Sequence, residues 1–176
     1  MTMDSIQNIL TRRSVRSFEQ RPISTEDMHT ILDAAMSGPT CANTRAWQFI
    51  VVEDRETLNK MADANGIYAA PLRQAAAGIL ICGDLDKAFP LAKEYWVVDG
   101  AIAGQNISLA ARALGIGSVW LGTWPQMDRV ENQSRLFGLP ESVVPHSVIA
   151  LGYSADTEDM SEKNNYDETC VHWEQW

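Results

Sequence analysis

A run of small residues, Ala101, Ala103, Ala110, Ala111 and Ala113 with Gly100 and Gly104 among them, marks residues 93–114 as the longest helical candidate in the chain. Short side chains at this density let neighbouring backbones come close. The helix therefore belongs at the centre of a domain or in a dimer interface. Gly115 is placed to end it in the left-handed conformation that glycine adopts without strain.

Strand-type and helix-type segments alternate around this helix. A short helical stretch begins at Ser5. Ser24-Thr-Glu-Asp27 has the form of a capping box. Met28, Ile31, Leu32, Ala35 and Met36 follow at helical spacing, up to a Gly38-Pro39 stop. The β-branched and aromatic residues of 47–52 predict a strand. Asp54 heads a further helix that carries Leu58, Met61 and Ala62 and closes near Asn65-Gly66. The apolar run 77–82 predicts a buried strand, and 118–121 and 147–151 predict two more. A helix over 127–137 is closed by Gly138 and Pro140. The alternation predicts an α/β or α+β sheet with helical cover. From Ser154 to the end the chain is polar, acidic and aperiodic, yet it keeps Tyr166, Val171, Trp173 and Trp176. A disordered tail does not carry such aromatics, so an extended arm is expected, packed on its own body or on a second subunit.

The 176 residues suffice for one domain with a sizeable core. With 23 acidic against 14 basic residues the net charge is -9. That argues against nucleic acid, whose binding needs many phosphate contacts from a basic surface. No apolar run is long enough for a bilayer, and the first residues lack the pattern of a signal peptide. Cys41, Cys82 and Cys170 form no CxxC and no disulfide framework, which predicts a reducing cytoplasm. His29, His146 and His172 are scattered, so no metal site is expected.

Against this acidic background stands Arg12-Arg13-Ser14-Val15-Arg16. Three guanidinium groups within five residues repel one another unless an anion joins them, and their planar forks suit phosphate. The plain alternative is a solvated face, or a helix C-terminus balancing its dipole. Gly115-Ile-Gly-Ser-Val-Trp follows a helix and opens a strand, the reverse of a dinucleotide fingerprint. On spacing it is a helix stop and a tight turn; functionally, it would let backbone amides near Leu121 and Gly122 approach a flat ligand. The loop around Pro39, Thr40, Cys41 and Asn43 has ordinary turn residues. Cys41 has no local base and is expected to be structural, as is His146. Glu53-Asp54 and Asp84/Asp86 fit caps or solvated turns. A phosphate cradle without acid, base, nucleophile or metal points to an enzyme whose cofactor carries the chemistry.

Taken in order, these motifs resemble the nitroreductase family of flavin mononucleotide (FMN) enzymes. The resemblance runs from about Ile6 to Trp176. It rests on Arg12-Arg-Ser-Val-Arg16, on Pro39-Thr-Cys-Ala-Asn43 before Trp47, and on Asp99 with Gln105-Asn106. It continues through Leu114-Gly-Ile-Gly-Ser-Val-Trp-Leu-Gly122, Phe137-Gly-Leu-Pro-Glu141 and Ala150-Leu-Gly-Tyr153 to the aromatic tail.

The resemblance implies a single α+β domain over 1–176, with a central mixed sheet flanked by helices. It also implies an intertwined homodimer in which the arm 154–176 packs on the partner and FMN lies at the interface. By this likeness Arg12, Arg13, Ser14 and Arg16 hold the phosphate, ribityl chain and pyrimidine edge. Pro39, Thr40 and Asn43 reach the flavin from the other subunit, Trp120, Leu121 and Gly122 cover the ring, and Lys163 returns to the phosphate. No catalytic side chain is implied. The activity implied is reduction of nitroaromatics, quinones or activated alkenes with NAD(P)H, by ping-pong hydride transfer. An FMN carrier or sensor, a reductive dehalogenase of the same fold, and a structural dimer without cofactor are the competing readings. The chain departs from the family at Arg45-Ala46, where Gln-Pro is usual, and at Asn165, where an arginine is usual. The loss of one charged hydrogen bond of about 1.5–3 kcal/mol would weaken FMN about tenfold or more.

Overall fold

The computed structural model describes residues 4–157 and 161–176. Four strands, β1 (Trp47–Val52), β2 (Ala77–Asp84), β3 (Gly117–Gly122) and β4 (Val143–Gly152), form one sheet in the order β1-β2-β4-β3. Five α-helices accompany it among the described residues: α1 (Ser5–Thr11), α2 (Thr25–Met36), α3 (Arg55–Asn65), α4 (Trp96–Ala113) and α5 (Met127–Phe137). No helix among the described residues is long and apolar enough to cross a membrane.

The helix boundaries follow the local chemistry. Ser24 accepts from the Asp27 amide, and its hydroxyl donates to the Asp27 carboxylate. Asp54 caps α3 through the amide and hydroxyl of Thr57. Gly115 and Gly138 take left-handed φ of 76° and 61° after α4 and α5, as expected of helix-ending glycines. The long helix starts later than its composition predicts, at Trp96, because Lys93–Tyr95 winds as a separate 3-10 turn.

The apolar run in β2 is continuous because both of its faces are covered. Ile79 and Ile81 pack with Ile149 and Leu151 of β4 against Ile31 and Ala35 of α2 and Ala103, Ile107 and Ala111 of α4. Leu80 and Cys82 face the other way, with Val148 and Ala150 of β4, against Leu58 and Met61 of α3 and Leu136 and Phe137 of α5. The result is three layers with the sheet in the middle.

The mixed sheet implied by the resemblance is antiparallel in all its described strand pairs. The only parallel pairing among the described residues is an isolated bridge from Ser14 to Ser118. The reason lies in the connections. Between β1 and β2, α3 runs out and the 3-10 segment Ile67–Arg73 runs back, so β2 starts opposite the end of β1. Arg55 holds this return by donating to the carbonyls of Leu72, Arg73 and Ala75 at 3.1, 2.6 and 2.6 Å. β2 and β3 do run in the same direction, joined by α4, but β4 lies between them.

β4 begins four residues before its predicted start and absorbs an irregularity. Ser147 pairs with Ile81, whereas Pro145 pairs with Cys82, leaving His146 as an extra residue. Such a bulge re-aims a side chain, and here the imidazole packs on Gly100 of α4, where a Cβ would come within 2.9 Å of the ring. Beyond Gly152 the chain stays with its own body for a few residues. Ser154 bridges Phe18, and the Ala155 amide donates to the Ser17 carbonyl. Residues 161–176 are exposed throughout, Trp173 at 77% and Trp176 at 99%.

Candidate cofactor site

The arginine cluster lies along the outer edge of β3. Arg12 follows the last turn of α1 in extended conformation. The Val15 amide donates to the Ser118 carbonyl at 2.9 Å, next to the Ser14–Ser118 bridge. Val15 sits against Gly117, where a Cβ would come within 2.7 Å of its side chain. A glycine at the head of β3 thus lets the cluster dock on the sheet edge.

The three arginines have different surroundings. Arg13 donates to the carbonyls of Leu10, Arg12 and Ser161, fastening the tail to the end of α1, and lines a small cavity beside Arg12. Arg16 is exposed and donates to the Ser14 carbonyl at 3.2 Å. Arg12 lines a cavity of about 610 Å³ between α1 and the tail, together with Lys163, Asn164, Asn165 and Tyr166, with Glu162 also in its wall. Ion pairs among the described residues are Lys60–Glu56, Arg73–Asp63 and Lys87–Asp84, and none involves Arg12, Arg16 or Lys163. Such a cavity falls within the range of about 300–1,000 Å³ usual for small-molecule sites. A guanidinium fork, an ammonium and two carboxamides around it are a donor set for a phosphomonoester. The residues present therefore fit the phosphate end of FMN. Asn165 supplies a neutral amide there rather than a charge.

The flat end of the site lies at the other end of β3. Leu121 is buried, and the space over Gly122 is open, with nothing within 4 Å of a Cβ built there. The Gly122 carbonyl is held from behind by Asn65 Nδ2 at 3.2 Å and by the Arg129 guanidinium at 2.8 Å. Trp120 lies over Gly104 of α4, which has no side chain to displace it. Its ring meets His146 edge-on at 5.7 Å, and His146 in turn meets Trp96 at 5.8 Å. Burial pulls the His146 imidazole down to about 4, against a hydrogen bond with the Val97 backbone that raises it. The ring is therefore neutral at pH 7, as suits a packing residue.

Pro39, Thr40 and Asn43 are on the opposite edge of the sheet, in the loop before β1. Three strand spacings separate the two edges, about 14 Å. This loop is unusually constrained. Ala42, Asn43 and Arg45 all have left-handed φ, of 48°, 56° and 52°, a conformation that costs a non-glycine residue on the order of 1 kcal/mol. It is held by the buried Asp99 carboxylate, which accepts from the Cys41 amide at 2.9 Å, and by Thr40 Oγ1, which accepts from the Arg45 amide at 3.1 Å. Asn106, also on α4, donates to the Ala34 carbonyl at 3.0 Å.

The chain thus brings Arg12, Lys163 and Asn165 together, keeps Ser14 and Arg16 on the same edge, and separates Pro39, Thr40 and Asn43 from them. Sequence reasoning missed the residues that support the site from behind: Asn65, Arg129 and the positioning role of Asp99. Asp99 and Asn106 carried a signal, as polar residues within the small-residue helix. Asn65 carried none, since it reads as a helix end.

Comparison with known proteins identifies the family. Residues 9–78 and 64–153 match the model of the nitroreductase family. A protein of Methanothermobacter thermautotrophicus, provisionally named an NADH dehydrogenase/NAD(P)H nitroreductase, is 43% identical over 99% of this chain and 88% of its own length. A protein of the same name from Archaeoglobus fulgidus is 42% identical over 98% of this chain and 99% of its own. Among solved structures, another of that name from Bacteroides thetaiotaomicron superposes with a TM-score of 0.89 at 39% identity, covering 98% of both chains. An FMN-dependent nitroreductase from Clostridium difficile superposes with a TM-score of 0.89 at 26% identity, covering 97% of this chain and 99% of its own. On the family match, the identities and the shared fold, this chain belongs to the nitroreductase family.

Proposed function

We propose that this chain is an FMN-dependent oxidoreductase that takes hydride from NAD(P)H and passes it to a flat, electron-poor acceptor: a nitroaromatic, a quinone or an activated alkene. The observation that carries this reading is the cavity of Arg12 and Lys163, two cations without a carboxylate partner among the described residues, in a chain whose relatives are named as FMN-dependent nitroreductases and NAD(P)H nitroreductases. When bound, FMN supplies hydride acceptance and donation at N5, so no catalytic side chain is required. Arg12 and Lys163 hold the phosphate. Ser14 and Arg16, on the same edge of the sheet, would hold the ribityl chain and the pyrimidine edge, where Arg16 would supply positive charge. The open face at Gly122 admits a flat ring against backbone, and Trp120 borders it. NAD(P)H and acceptor use this face in turn, a ping-pong sequence. Protons come from water.

Residues 1–176 act as one domain, and the working unit is a homodimer in which the aromatic end of the 154–176 arm embraces the partner. Two observations support this. Ile6, Ile9 and Trp173 are at least half exposed in the isolated chain, apolar side chains that call for cover. Pro39, Thr40 and Asn43 lie on the sheet edge opposite the arginines, about 14 Å away across the strands, which is in keeping with their serving the site of a second copy. Three free cysteines without disulfides fit the cytoplasm as the place of action.

Anaerobic absorbance spectroscopy tests the reading. The purified chain should carry flavin bands that bleach on adding NADH or NADPH, and Arg12→Ala should lose the flavin. Bands that persist with both nucleotides would make the chain a carrier. Absence of flavin after incubation with FMN would refute the assignment.

A further inference from the structure

The cluster at the end of α1 contains a fourth guanidinium that the motif does not include. Arg112, in the last turn of α4, lines a second, smaller cavity of about 60 Å³ together with Arg12, Arg13, Gly117 and Ser118. Arg12 lines both this cavity and the one that holds Lys163. Thr11 Oγ1 accepts from an Nη of Arg112 at 3.2 Å and so orients the fork. The same hydroxyl donates to the Gln7 carbonyl at 2.7 Å, which fixes it on α1. The Nε–H of Arg112 is fully buried and has no hydrogen-bond partner among the described residues. No carboxylate pairs with this arginine there either.

The buried Nε is sealed from the cavity; the end of the fork open to a ligand there is Nη1, since Nη2 is taken by Thr11. The helix C-terminus favours a cation at Arg112, but that explains its charge and not the direction of its fork. With guanidinium groups lining one cavity at the end of α1 and no carboxylate paired with Arg12 or Arg112 among the described residues, the ligand whose chemistry suits it is an anion with several oxygens. The neighbouring cavity, which shares Arg12, adds the ammonium of Lys163 and the neutral amide of Asn165.

We propose that Arg112 is a ligand of the cofactor's phosphate, a charge partner supplied by α4 in addition to those of α1 and the tail. The assignment rests on the FMN reading above. It makes a distinction between FMN and riboflavin, which share the ring and ribityl chain and differ only in the phosphate.

Full-length protein freed of flavin is titrated with FMN and with riboflavin, and binding is followed by quenching of flavin fluorescence. The wild type should prefer FMN. Arg112→Gln should weaken FMN by about tenfold, equivalent to about 1.4 kcal/mol, and leave riboflavin within twofold. Arg112→Lys, which keeps the charge and a shorter reach, should recover part of the preference. Inorganic phosphate should compete with FMN in the wild type and lose that effect in Arg112→Gln. Unchanged FMN affinity in Arg112→Gln overturns the proposal and leaves the oxidoreductase reading intact. An equal loss for both flavins also overturns it, since the arginine then only supports the fold. If the wild type binds neither flavin, the FMN reading itself fails. Should Arg112→Gln not fold, Thr11→Val removes the orienting bond, and the proposal then requires a loss confined to FMN.

Discussion

Asn65→Ala tests whether the face at Gly122 is held by the buried network behind it. Asn65 ends α3 and is 2% exposed. Its Nδ2 donates to the Gly122 carbonyl, and its Oδ1 accepts from Thr123 Oγ1 at 2.7 Å and from Gln133 Nε2 at 3.4 Å. Thr123 and Gln133 are fully buried. Alanine leaves the Thr123 hydroxyl buried without this partner, a penalty of about 1–3 kcal/mol, and removes a bond to Gly122 worth about 1 kcal/mol. The better helix propensity of alanine offsets about 0.5 kcal/mol. The net expectation is a loss of about 2–3 kcal/mol. In a chain of this length that lowers the melting temperature by about 4–12 °C. The diagnostic arm is Thr123→Val. Alone it should destabilise, because Asn65 loses its best donor; on top of Asn65→Ala it should cost little, because both partners are then gone. Urea unfolding of the four proteins gives the cycle. Additive losses, or a loss below about 1 kcal/mol for Asn65→Ala, would refute the network as the support of Gly122.

Two further outcomes follow from single residues. His146 titrates near 4 in the folded protein because it is buried, and near 6.5 when unfolded. The unfolded chain therefore binds the extra proton first, and stability should fall as pH drops from 6.5 to 4, by up to about 3 kcal/mol. Urea midpoints across this window should show that slope in the wild type and a shallower one in His146→Phe; identical slopes would count against it. Arg55→Ala leaves three carbonyls at the end of the 3-10 segment without their donor. A loss of about 2–3 kcal/mol is expected by urea unfolding, and an effect within 0.5 kcal/mol would show that the return to β2 holds without it.

What the sequence makes legible here is local or periodic. Ser24, Asp54, Gly115 and Gly138 act within a few residues of where they stand, so their caps could be read directly. The two-faced burial of β2 was visible as an unbroken apolar run. The start of β4 was not, because its first residues include Pro145 and its register skips His146; a bulge depends on the partner strand. Strand direction was illegible for the same kind of reason. The excursion through α3 and the 3-10 segment returns the chain to its starting end, but nothing in the spacing of 53–76 states that it doubles back.

The arginine cluster shows where such reasoning stops at the site. Arg12, Arg13 and Arg16 are equivalent as letters in a motif, and their chemistry alone suggests three ligands for one anion. Folding divides them. Three carbonyls take three of the five N–H donors of Arg13, two of them in its own turn and one about 150 residues downstream at Ser161, so it fastens the tail while still lining the cavity with Arg12. Arg112, far from the motif, comes to line a cavity with Arg12 only because α1 packs on the last turns of α4, where Asn8 donates to the Leu109 carbonyl and Thr11 accepts from Arg112 itself. A residue type announces which chemistry is available. Which residue remains available depends on the carbonyls and carboxylates that the fold brings to it first, and that is set by the packing of α1, α4 and the tail.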